Sequence, residues 1–142
     1  MNRYPGPRLS LKSAAARLPY DRSSITPAIV HLGVGAFHRA HMAPYMDEVL
    51  RNDPSWGIIG ASLRRSATRD ALAPQDFLYT LMVRSGSGTA ACIVGSVLEV
   101  LDATTQRLEL MAAMVDARTR IVSLTVTEKG YCHDPATGEV DP

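Results

Sequence analysis

Hydrophobic residues along the chain alternate between two spacings. Ala28-Ile29-Val30-His31-Leu32 is a short apolar run closed by Gly33, the pattern of a strand buried on both faces. Met42, Tyr45, Met46, Val49 and Leu50 then fall at i, i+3, i+4, i+7 and i+8. That is one face of an amphipathic helix, with Asp47, Glu48 and Arg51 on the wet side. Pro44 allows two versions of it: a regular helix starting near His41, or a shorter first turn followed by a kink. A second strand is predicted over Trp56–Leu63, behind the Asn52-Asp53-Pro54 turn, then a helical piece over Ser66–Ala73. Phe77–Val83 reads as a third strand, Arg84–Thr89 as a hairpin turn, and Cys92–Leu101 as a β-rich partner. Leu108, Met111, Ala112 and Val115 return to helical spacing, and Arg120–Val126 is a strand rich in β-branched residues.

Strand and helix in turn predict an α/β domain with a mostly parallel sheet, and the 78–101 region reads as an antiparallel insertion. Residues 1–26, rich in Pro, Arg and Ser, read as an irregular leader that packs on the domain or frays, leaving 27–142 as the domain. The 142 residues suffice for one buried core. The final Asp141-Pro142 falls in a loop after a strand, which points to a fragment of a longer protein. A net charge of +1 gives no electrostatic case for nucleic acid or an anionic membrane. No apolar run approaches the roughly 18–20 residues that span a bilayer. The basic Arg3, Arg8 and Lys12 have no apolar segment behind them, so a secretory signal is not expected, although the first 24 residues partly share the Arg- and Ser-rich character of a transit peptide. Cys92 and Cys132 show no metal or disulfide spacing and read as reduced thiols of a cytoplasmic protein.

The chemistry concentrates where the first strand ends. Gly33-Val34-Gly35-Ala36-Phe37-His38 follows a predicted strand and opens a helix, the order a dinucleotide site requires. One glycine makes the tight turn, a second lets backbone approach a pyrophosphate, and N–H groups at the helix start receive its charge. A plain strand-to-helix turn would show the same two glycines. His38 stands where the usual fingerprint has its third glycine, and a side chain there pushes helix and strand apart. At the end of the second strand, Ser62-Leu63-Arg64-Arg65-Ser66 holds no carboxylate for ribose hydroxyls. Arg64 and Arg65 with a serine of this stretch either hold a 2′-phosphate, making NADP possible beside NAD, or the two arginines lie in solvent. His38 and His41 could share a helix face with His31 nearby, but no acidic or Cys ligand accompanies them, so no metal is expected.

The longer string Ile29–His41, with Phe37-His38-Arg39-Ala40-His41 after the glycines, resembles the signature of the polyol-specific long-chain dehydrogenases, the mannitol dehydrogenase family. Ile121–Cys132, containing Thr127-Glu128-Lys129-Gly130-Tyr131, is a second match, and Gln75–Thr80 a looser third. The resemblance implies a Rossmann-like N-terminal domain that binds NAD through Gly33, Val34, Gly35, Ala36, Phe37 and His38, with Arg64, Arg65 and Thr127 nearby. Glu-Lys-Gly-Tyr at 128–131 is the form found in fructuronate reductases, where mannitol dehydrogenases have Glu-Gly-Gly-Tyr. The expected reaction is therefore the interconversion of D-mannonate and D-fructuronate, with mannitol oxidation, or a non-catalytic nucleotide-binding remnant, as the alternatives. On that reading Lys129 meets a uronate carboxylate and Glu128 borders the active site. The family's catalytic lysine belongs to a second, C-terminal domain, so no catalytic residue is expected within these residues and that domain is the implied partner.

Overall fold

The computed structural model describes residues 8–14, 18–86, 88–126, 134 and 136–140. Four parallel strands form the main sheet: β1 (Pro27–Leu32), β2 (Gly57–Ser62), β5 (Val97–Asp102) and β6 (Ile121–Leu124), in the order β5-β2-β1-β6. A separate antiparallel hairpin, β3 (Tyr79–Ser85) and β4 (Gly88–Val94), is inserted between β2 and β5. Helices α1 (Leu11–Ala14), α2 (Ala36–Ala40), α3 (Met42–Val49), α4 (Ala67–Leu72) and α5 (Arg107–Val115) complete the described elements, with short 3-10 turns at Arg22–Ser24 and Ala73–Gln75. This is a Rossmann-like domain: a mostly parallel sheet with an antiparallel insertion.

Alternation along β1 sorts the core into two faces. Ile29 points to the side where Val34, Ala43, Ile58, Leu72, Val94, Val97 and Val100 gather, packed by Met42 and Met46 of α3 and by Tyr79 and Leu81 of the hairpin. Val30 points to the other side, among Ala61, Leu101 and Leu110 of α5. The chain therefore leaves β1 over one face to reach β2, and returns from β5 over the other to reach β6. The sheet order reverses between β1 and β6, which is where open α/β sheets place their ligand crevice.

Three expectations are corrected. The single strand expected over Cys92–Leu101 is two strands in two sheets, broken at Gly95-Ser96. There the Ser96 hydroxyl donates to Ala43 O (2.7 Å) and the Gly95 N–H to Asp47 Oδ1 (2.8 Å), so side-chain and helix acceptors replace a strand partner. Asp47, expected on the wet side of α3, is buried for the same reason: its carboxylate also accepts the Tyr20 hydroxyl. Burial raises the Asp47 carboxyl, against the lowering effect of those hydrogen bonds. On α5 the expected apolar stripe faces solvent, with Leu108 82% and Val115 77% exposed, while Leu110 packs against the sheet.

The described part of the leader packs on the domain from residue 18 onward. Leu18 and Ile25 are buried, and the Arg22 guanidinium donates to Gly95 O (2.6 Å) and Val97 O (2.7 Å). Of the two versions of the first helix, the shorter turn with a break is the one found: α2 ends at His41 (φ −126°, ψ −74°) and α3 begins at Met42, with Pro44 in its first turn.

The crossover sits close to β2 because Gly60 has no side chain. A Cβ there would lie 2.3 Å from Val34 Cγ2. Gly60→Ala should therefore destabilise the fold by about 1–3 kcal/mol through overpacking, although alanine is ordinarily better than glycine in a strand. Urea unfolding midpoints check this. Adding Val34→Ala in the same chain should recover part of the loss, and an unchanged midpoint for the single variant would contradict the packing described.

Candidate functional site

The site is built on the two residues after β1. The Gly33 N–H donates to Ala61 O (2.9 Å), extending the parallel ladder by one step, and Gly33 then turns with φ +97°. That backbone region strains any residue with a Cβ, so glycine is needed there for conformation. Gly35 differs. Its φ of −82° suits any residue, and an added Cβ would meet nothing nearer than Gly33 O at 3.9 Å. What glycine preserves at 35 is empty space above the loop. The Gly35 N–H bonds back to Gly33 O (2.7 Å), and α2 starts immediately after. The first-turn N–H groups of Ala36, Phe37 and His38 have no carbonyl within the helix to bond. The Arg39 guanidinium closes over Val34 O (2.7 Å), and the Tyr79 hydroxyl donates to Arg39 O (2.7 Å), tying the inserted hairpin to α2.

A cleft of about 460 Å³ opens above this loop at the carboxyl ends of β1 and β2. Gly33, Val34, Gly35, Ala36, Phe37 and His38 line one side of it. Arg65 lines the other side, whereas Arg64 is exposed and does not contribute to the lining. Ser62, in the stretch the sequence reading assigned to a 2′-phosphate, also lines the cleft, and so do Thr68 and Thr125, which sequence reasoning missed. Strand register puts Ser62 there: Leu32 pairs with Ala61, so the next residue of β2 lies beside Gly33. Its buried hydroxyl has no hydrogen-bond partner among the described residues.

His38 occupies the third-glycine position without forcing α2 off the sheet. Its ring is fully buried and stacks on His31, with centroids 4.1 Å apart and planes at 18°. His31 projects from β1 on the face that α2 covers, and its two nitrogens meet Ser123 Oγ (2.9 Å) and Thr125 Oγ1 (3.2 Å) of the adjoining strand segment. Among the described residues neither nitrogen of His38 has a hydrogen-bond partner. Burial pushes the His38 imidazole down to about 3, with further lowering from His31 and Arg39, and burial also lowers His31. Both rings are neutral at pH 7. His41 lies apart from this pair, its ring 4.7 Å from Phe37. Among the described residues no three His, Cys, Asp or Glu side chains gather as a metal site. Thr127, Glu128 and Lys129 lie outside the described residues.

Residues 27–140 match the model of the mannitol dehydrogenase Rossmann domain. The chain belongs to this family. A mannitol 2-dehydrogenase of Cereibacter sphaeroides is 45% identical over 133 residues, covering 91% of this chain and 28% of its own length. One of Pyrenophora tritici-repentis is 44% identical over 125 residues, covering 85% and 22%. The chain thus spans about a quarter of these relatives. Among solved structures, the Pseudomonas fluorescens mannitol 2-dehydrogenase in ternary complex with NAD and D-mannitol superposes with a TM-score of 0.81 at 34% identity, covering 94% of this chain and 30% of that one. These relatives overturn the expected placement beside the fructuronate reductases. That placement rested on the single residue Lys129, and the uronate carboxylate assigned to it goes with the reading that is withdrawn.

His38 gives the family's loop a pH signature. Its pKa is depressed on folding, so its contribution to stability is complete above its unfolded value near 6.5 and is lost as pH falls through about 3. The loss should be at most on the order of 4 kcal/mol. His38→Phe keeps an aromatic ring against His31 and should show a flatter stability profile than the parent between pH 6.5 and 3 in chemical denaturation. Parallel profiles would show that His38 does not carry this proton linkage.

Proposed function

We propose that this domain binds NAD(H) and serves an oxidoreductase that interconverts a polyol of the mannitol type and its keto form. The observation that carries the reading is the two-glycine turn at the tip of β1, opening on a cleft at the point where the sheet order reverses. The family membership and the NAD complex of the Pseudomonas fluorescens relative support it.

The parts of the site divide the work by their chemistry. Gly33 supplies the turn, and the open space over Gly35 lets a pyrophosphate approach the backbone. The free N–H groups of Ala36, Phe37 and His38 face that position as donors. Val34, seated over Gly60, fixes the height of the loop above the sheet. Ser62 and Arg65 stand at the ribose end. The neutral His31–His38 stack fills the space beneath the loop without placing a charge there. A cofactor held by Gly33–His38 would supply a nicotinamide as hydride acceptor for the substrate carbinol carbon, and as hydride donor to the carbonyl in the reverse direction. The proton acceptor for the substrate hydroxyl is assigned to a further domain of the same protein, outside these 142 residues.

The chain should bind NADH and show no turnover of mannitol with NAD, because it holds the cofactor and not the acid–base group. Isothermal titration and nicotinamide absorbance check the two halves. Absence of binding to a folded sample, or turnover in a sample free of contaminating dehydrogenase, would each count against the proposal. Gly35→Val should remove NADH binding while leaving the fold intact by circular dichroism, since a Cβ at 35 has room in the protein and intrudes only on the ligand's space. Binding retained by this variant would place the pyrophosphate elsewhere.

A further inference from the structure

We infer that His31 is a positioning residue for the cofactor: from beneath the sheet's edge of the cleft, its ring holds the Thr125 hydroxyl in the place where a bound dinucleotide meets it. This rests on the dinucleotide reading of the cleft and concerns what fixes the wall on the β6 side. His31 is next to last in β1 and only 3% exposed, so it reaches no ligand itself. Thr125 is half-buried and lines the cleft.

Register and alternation bring the two together. His31 pairs with Ser123 in the parallel ladder between β1 and β6. Residues two apart in an extended chain share a face, so Thr125, just past the end of β6, follows Ser123 on the same side. Both imidazole nitrogens are engaged there, Nδ1 with Ser123 Oγ at 2.9 Å and Nε2 with Thr125 Oγ1 at 3.2 Å. The two bonds fix the rotation of the ring, and the His38 ring stacked 4.1 Å away fixes its plane. Nε2 therefore presents a set direction to Thr125.

A hydroxyl has one proton to donate and two lone pairs that accept. The neutral His31 ring has one N–H and one free lone pair, so it donates to one of its two hydroxyls and accepts from the other. Either tautomer spends one bond of Thr125 on the ring and leaves the rest of the hydroxyl's capacity to the cleft. Without that bond the side chain turns among its staggered positions. A cofactor that meets a hydroxyl already in place loses less rotamer freedom on binding.

The test is NADH binding to the purified chain by isothermal titration, comparing the parent, His31→Phe, Thr125→Val and the double variant. Phenylalanine keeps a ring against His38 and removes both nitrogens; valine keeps the shape of threonine and removes the hydroxyl. Each single variant should weaken binding by about three- to tenfold. The double variant should be no weaker than about the weaker single, because the two residues act as one unit. Multiplied effects in the double variant, or parent-like affinity in either single, would overturn the inference. Thr125→Ser keeps the hydroxyl and should bind within about threefold of the parent, and a loss equal to that of Thr125→Val would count against it. Nitrogen NMR adds a readout that folding alone does not move and that does not depend on His31→Phe. Saturating NADH should shift the His31 Nε2 resonance in the parent and much less in Thr125→Val. A resonance indifferent to NADH, or shifted equally in both, would overturn the inference while leaving the dinucleotide site in place. A folded parent that binds no NADH would overturn both.

Discussion

Strand β1 is hydrogen-bonded along both edges, to β2 and to β6, and covered on both faces, and most of the architecture follows from that enclosure. A strand in this position cannot turn back beside itself. Its chain must rise off the carboxyl end of the sheet, and the tight exit takes a left-handed residue at Gly33. The exit then has to settle back onto β2 within a few residues, which Val34 achieves only because Gly60 offers no side chain. The cleft is the space left above that exit. The same enclosure dictates the two crossovers, one over each face, and hence the reversal of strand order that places the cleft between β1 and its neighbours.

The antiparallel hairpin and the leader brace this arrangement from one side. Tyr79 reaches from the hairpin to the backbone of α2, and Asp47 of α3 holds both the bend at Gly95 and the Tyr20 hydroxyl of the leader. Arg22 fastens the same bend through two carbonyls. The buried carboxylate is therefore a junction between three segments distant in sequence. Charged residues are tolerated inside when their hydrogen bonds are satisfied by groups that would otherwise lack partners, and the Gly95 N–H is such a group.

The strand and helix order, the insertion and the glycine turn were legible because each has a local signature: a closed apolar run, a 3.6-residue period, a Gly-x-Gly at their junction. The faces of the helices were less so. Asp47 looked like a solvent residue because its partners, Gly95 and Tyr20, are 48 and 27 residues away. On α5, Leu108 and Val115 formed a convincing stripe, yet Leu110 meets the sheet, since the docking angle of a crossover helix is set by both of its strand connections. In the cleft, the glycine loop was visible in sequence, whereas strand register decides that Ser62 and not Ser66 lines it. The choice between uronate and polyol rested on the single residue Lys129, which weighed little against 45% identity over 133 residues to a mannitol 2-dehydrogenase.

The stacked imidazoles beneath the loop carry a kinetic consequence. The proton of the neutral His38 ring has no hydrogen-bond acceptor among the described residues, and both ring nitrogens are shut off from solvent. A group so enclosed exchanges with water through local opening of the structure around it. The lifetime of that proton is therefore an internal clock for the breathing of the glycine loop, readable in the ground state without any ligand present.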